Sequence, residues 1–112
     1  MRIAVLVAAA SAPIVVGATG AVAQIAGFFA DPAAGREVAE RLCSNCHAVG
    51  PNAQSARGDV PPFGTIARLP DQTPERLAGK IIIPHPSMPN VQLTIDEIRN
   101  IVAYILSLKE GN

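Results

Sequence analysis

The sequence predicts an all-α domain of three to five short helices. Three helix-start signals carry the prediction: Asp31-Pro32, Thr73-Pro74-Glu75 and Thr94-Ile95-Asp96-Glu97. Each is followed by apolar residues at three- and four-residue spacing, and no stretch shows the alternation of a half-buried strand. The 112 residues suffice for one domain and not for two.

The first thirty residues stand apart. Arg2 is followed by a stretch from Ile3 to Ala30 without a charged residue. A positive start, an apolar middle and the small-residue site Ala21-Val22-Ala23 describe a secretory signal peptide over residues 1–23. Cleavage there leaves a folded domain over residues 24–112. The rival reading is an uncleaved anchor, because the stretch exceeds the roughly 20 residues that span a bilayer. Its Ala, Gly and Pro content favours cleavage. Either way the domain is expected outside the cytoplasm, which in a bacterium is the periplasm, with a membrane contact only if the anchor is kept.

Asp31 and Pro32 open the first helix. Gly35, Val38, Ala39 and Leu42 share one face, and Arg36, Glu37, Glu40 and Arg41 cover the other. The helix should run into Cys43. Residues 49–62, rich in Gly, Pro, Asn and Asp, form a loop. Phe63 to Leu69 is a short helix before Pro70. A further helix starts at Thr73-Pro74 and ends near Ile83, stopped by Pro84. Three prolines between Pro84 and Pro89 exclude regular structure there. The capping box at Thr94 opens the last helix, Ile95 to Lys109, with Ile98, Ile101, Val102, Ile105 and Leu108 on its apolar face.

Composition sets two further bounds. Nine basic and nine acidic residues cancel, with no basic run, so a nucleic-acid partner is unsupported. Trp is absent and only four residues are aromatic, so a domain this small has a limited core of its own. A large apolar cofactor would fill the middle.

The chemistry is concentrated in Cys43-Ser44-Asn45-Cys46-His47, the C-x-x-C-H attachment signature of c-type haem. Residues three apart on a helical turn lie on one side, so both thiols reach the two vinyl groups of one porphyrin. His47 then sits under the iron and offers Nε2. The rival readings fare worse. A zinc site needs four ligands, and only His85 remains as a further His or Cys. A thioredoxin-like pair expects strands around it. A disulfide between Cys43 and Cys46 would be strained and would leave His47 without a role.

The second axial ligand has two candidates. Met88 lies about forty residues after the motif, in the proline-stiffened segment and before Pro89. A Met/His pair raises the reduction potential of a haem. His85, three residues earlier, competes as a nitrogen donor; its simpler reading is a loop histidine at the surface.

Over residues 31–109 the chain resembles class I cytochromes c, the small monohaem carriers. Gly35, eight residues before Cys43, matches the glycine of that family at the crossing of its first and last helices. Ile101-Val102-Ala103-Tyr104 matches the family's apolar-x-x-aromatic pattern in the last helix. Pro61-Pro62-Phe63 resembles its Pro-x-Leu, which implies that a proline carbonyl, Pro61 by the better match, receives a hydrogen bond from the proximal His47. The chain departs from the family at Ala39, where an aromatic is usual, and lacks the lysine-rich docking face of mitochondrial members.

The resemblance implies the class I fold around one haem c, joined to Cys43 and Cys46 and ligated by His47 and Met88. It implies an electron carrier rather than an enzyme, working by outer-sphere transfer between periplasmic or membrane redox partners that dock briefly at the haem edge. A fixed haem subunit of a dehydrogenase or oxidase complex would use the same chemistry. A peroxidase would need an open sixth position and distal acid/base residues, and no distal Arg/His pair is evident.

Overall fold

The computed structural model describes residues 29–55 and 57–110. The expected signal peptide or anchor, residues 1–23, lies outside the described residues. Among those described, the chain is helical without strands: α1 (Pro32–Leu42), α2 (Phe63–Ala67), α3 (Pro74–Ile82) and α4 (Ile95–Ser107). No helix among them is long and apolar enough to cross a membrane.

Each start follows its local chemistry. The Asp31 carboxylate accepts from the N–H groups of Ala33 (2.8 Å) and Ala34 (3.2 Å), and Pro32 fills the first position. Thr73 caps α3 through the Arg76 N–H. Thr94 and Glu97 exchange backbone hydrogen bonds of 3.2 and 2.8 Å, a complete capping box on α4. These bonds from Thr94 hold the Glu97 carboxyl below its ordinary range, with nearby Arg41 adding a smaller push.

The ends are shorter than periodicity suggests. α2 stops at Ala67 rather than Leu69: Arg68 leaves helical geometry, and the Gln72 side chain donates to the Ile66 carbonyl at 2.9 Å. α3 stops at Ile82, because Ile83 precedes a proline and is extended (φ −104, ψ 99). After Ser107, successive N–H groups bond three residues back, which tightens the last turn of α4.

α1 and α4 pack at one close crossing. A Cβ on Gly35 would overlap the Asn100 carbonyl and stand 2.8 Å from the Ile101 nitrogen. Only glycine fits. The Asp31 N–H donates to the Asn100 side chain at 2.8 Å on one side of the crossing, and Arg41 meets Glu97 at 3.7 Å on the other. Tyr104, on the buried face of α4, donates its hydroxyl to the Val49 carbonyl at 2.6 Å. That bond joins α4 to the chain just after the Cys-His motif. Burial pushes the Tyr104 phenol above its ordinary pKa, Glu40 adds to the effect and Arg36 opposes it.

Gly35→Ala should destabilise the domain by about 3 kcal/mol or more, since backbone rather than a flexible side chain must yield. Urea unfolding would measure it, and wild-type stability in this variant would refute the crossing. Tyr104→Phe should cost about 1–3 kcal/mol by leaving a buried carbonyl unpaired. The raised phenol pKa favours the neutral form in the folded state. Its contribution is full below the unfolded value of about 10 and is lost as pH rises through the folded value. The alkaline fall in stability should therefore shrink in Tyr104→Phe; an unchanged alkaline limb would contradict this.

Candidate functional site

The motif begins where α1 ends. The Cys43 N–H still bonds the Ala39 carbonyl (2.8 Å), and the N–H groups of Cys46 (3.1 Å) and His47 (2.9 Å) both return to the Cys43 carbonyl. The chain thus makes one further turn, which brings the two cysteines and the histidine to one end of the helix. The cysteines are free and half-buried. Before attachment of any group, burial pushes the Cys43 thiol above the ordinary range, which favours its protonated form.

The loop that follows is folded back on the motif. Ser55 Oγ accepts from the Ala48 N–H (3.1 Å), and the Ala48 carbonyl accepts from the Phe63 N–H (2.9 Å). This return sets the Pro61 carbonyl 2.8 Å from His47 Nδ1. A carbonyl only accepts, so Nδ1 carries the proton and, in the neutral ring, Nε2 keeps its lone pair. The Phe63 ring packs on the imidazole at 5.2 Å between centroids, tilted by 46°. Backbone, carbonyl and ring together leave His47 one orientation.

His47 faces a cavity of about 400 Å³. Its inner wall is apolar: Phe63, Ile66, Leu77, Ile101 and Ile105 all line it. Met88 and His85, both half-buried, also line it. A smaller hollow of about 120 Å³ shares Cys43, His47, His85 and Met88, and adds Cys46. Cys43, Cys46, His47, Pro61 and Met88 are thus gathered around one connected region, although 41 positions separate His47 from Met88. The His85 ring is within the same wall, 6.5 Å from the His47 ring, rather than out in solvent.

Some lining residues were not singled out from sequence. Leu77 and Ile81 share a face of α3 at four-residue spacing, and Val91 and Leu93 alternate along the extended segment before α4. Those periods are readable. Arg76 and Lys80 are the charged residues that line the cavity among those described, and both are cationic.

This arrangement suits a haem. The wall is apolar where a porphyrin face would lie. Two thiols stand at the edge with an orientated imidazole beside them, a thioether is available within the same wall, and the two cations match the acid groups a haem carries.

Comparison with known proteins agrees with the geometry. The family model described as cytochrome c matches residues 32–109. Cytochrome c-552 of Bradyrhizobium diazoefficiens is 42% identical over 80 residues, which cover 71% of this chain and 77% of that protein. No solved structure matches. The chain belongs to the cytochrome c family: a monohaem electron carrier with covalently bound haem c, whose C-x-x-C-H motif Cys43 and Cys46 fit.

Proposed function

We propose that this member of the cytochrome c family is an exported carrier of single electrons, with its iron held between His47 Nε2 and the Met88 sulfur and its porphyrin joined to Cys43 and Cys46. The observation that carries the reading is the 2.8 Å bond from His47 Nδ1 to the Pro61 carbonyl, which leaves Nε2 as the ring's donor toward the cavity that Met88 also lines.

The haem supplies a site that gains or loses one electron; the chain sets how readily and to whom. His47 is kept in a single tautomer, so its donor strength is steady. Met88 as the opposite ligand raises the potential relative to a second imidazole. Ile101, Ile105, Leu77 and Phe63 exclude water, which favours the less charged state of the centre. A packed core and two retained ligands limit rearrangement during transfer.

Contact with partners falls to the mouth of the cavity. Leu69 lines the cavity and is still 49% exposed, with Pro70 beside it. An exposed apolar rim of this kind supports brief docking of other redox proteins. The uncharged stretch from Ile3 to Ala30 and the Ala21-Val22-Ala23 site support export with residues 1–23 removed.

The mass of the purified protein should equal residues 24–112 plus one haem; a mass that retains residues 1–23 would make it an anchored protein. The ferric protein should show the charge-transfer band of a thioether–iron bond. In Met88→Ala that band should vanish and the reduction potential should fall, whereas an unchanged band and potential would refute ligation by Met88. Leu69→Glu should keep the thioether–iron band but slow electron self-exchange between ferric and ferrous copies roughly tenfold. An unchanged self-exchange rate would place docking elsewhere.

A further inference from the structure

We propose that the electron partner is a redox protein whose own docking face is apolar and uncharged, and that it docks over the smaller hollow, at the edge of the site where Cys46 stands. This rests on the brief docking read above at Leu69 and extends that face to the far end of α3.

Charge carries the argument. Two stretches of chain, residues 42–56 and 81–95, contain no Asp, Glu, Lys or Arg. Together they build the hollow: Asn45 and Cys46 come from the first, and Pro86, Ser87 and Pro89 from the second. Among the described residues only Val60 lines it from elsewhere, and Val60 is apolar.

The charged residues that bracket these stretches are matched. Arg41 meets Glu97 at 3.7 Å, Arg57 meets Asp59 at 3.3 Å and Asp96 meets Arg99 at 3.0 Å. The fourth, Lys80, lines the main cavity, where a haem would bring acid groups to it. This edge therefore presents neither a positive nor a negative field. A charged partner would bury its charges here without opposites, at a cost, so the complementary face is one without charge.

Exposure marks the contact area. Ile82 is 62% and Ile83 72% exposed. Neither lines the cavity or the hollow, so a haem there leaves both outside. Ile83 stands two residues before His85, which lines the hollow, and so lies within about 7 Å of its rim. Single exposed aliphatic residues are ordinary; an adjacent pair beside a charge-free rim is the composition of an interface centre.

The face is also stiff. The Ile83 N–H bonds the Gly79 carbonyl at 2.9 Å, and Pro84 follows. The Met88 N–H bonds the His85 carbonyl at 3.0 Å between the exposed Pro86 and Pro89. Little chain remains to be ordered when a partner arrives, which favours contact that forms and breaks readily. A lipid surface is less suited, because two isoleucines give a bilayer little apolar area to hold.

The holoprotein itself is the probe, since a second copy presents the same uncharged face. Electron self-exchange between ferric and ferrous copies is measured by NMR line broadening at about pH 8, where histidine is neutral. The variants are Ile83→Lys, Ile83→Glu and Glu37→Lys, each first shown to keep the thioether–iron band; Ile82→Lys and Ile82→Glu replace any Ile83 variant that loses it. Both Ile83 variants should slow exchange roughly tenfold, because either sign of charge spoils an apolar contact. Glu37→Lys, on the outer face of α1, should leave the rate unchanged. Exchange speeded by one sign at Ile83 and slowed by the other would reveal an electrostatic face and overturn the proposal. Unchanged rates in both Ile83 variants would overturn it too. If Leu69→Glu were then still slow, docking at the Leu69 rim would stand and only this extension would fall; if Leu69→Glu were also unchanged, both would fall. Binding of the wild type, but not of Ile83→Glu, to phosphatidylcholine vesicles would make this face a lipid surface and overturn the proposal as well.

Discussion

The contact of Gly35 with the Asn100 carbonyl holds the rest of the structure in place. Because no side chain separates the two backbones there, α1 and α4 cross closely enough for their apolar faces to make one core. That crossing fixes where α1 ends, and so where Cys43 to His47 emerge. It also fixes where Ile101 and Ile105 stand, as the wall against which a porphyrin would rest. Tyr104 continues the constraint by bonding the Val49 carbonyl, which ties the chain leaving the motif to the same helix. A domain with no Trp and few aromatics thus relies on one close backbone approach and one buried hydroxyl to position its chemistry.

From that frame the site is assembled by short loops. The loop after the motif is pinned at Ala48 by Ser55 and Phe63, and its reward is the Pro61 carbonyl on His47. The segment before α4 is stiffened by prolines and carries His85 and Met88 on either side of Ser87, which is held at φ 71°. The two sides of the cavity therefore differ in kind. The His47 side is fastened by a carbonyl and an aromatic ring, while among the described residues the Met88 sulfur has no comparable bond.

Much of this is legible in the sequence, for physical reasons. Helix starts are written in local chemistry, so Asp31-Pro32, Thr73-Pro74 and the Thr94 capping box place them to the residue. Helix ends depend on what competes for the last carbonyls, and α2 ends early because Gln72, five residues beyond, reaches back to Ile66. The motif and the face of α4 follow from spacing. The approach of Gly35 to Asn100 does not, since it joins residues 65 apart; it was readable only through a resemblance to a family. The position of His85 was not readable either. Between prolines a histidine carries no periodicity, and whether it turns inward is decided by packing that pattern analysis does not contain.

The central claim is that one sulfur and one nitrogen face each other across the cavity, Met88 against His47. The chain contains two methionines, Met1 and Met88, so once residues 1–23 are removed a labelled methionine methyl reports on Met88 alone. The account predicts that in the ferrous holoprotein this methyl proton resonance lies far upfield, shifted by the ring current of a porphyrin directly beneath it. A resonance at the ordinary methionine position would contradict it.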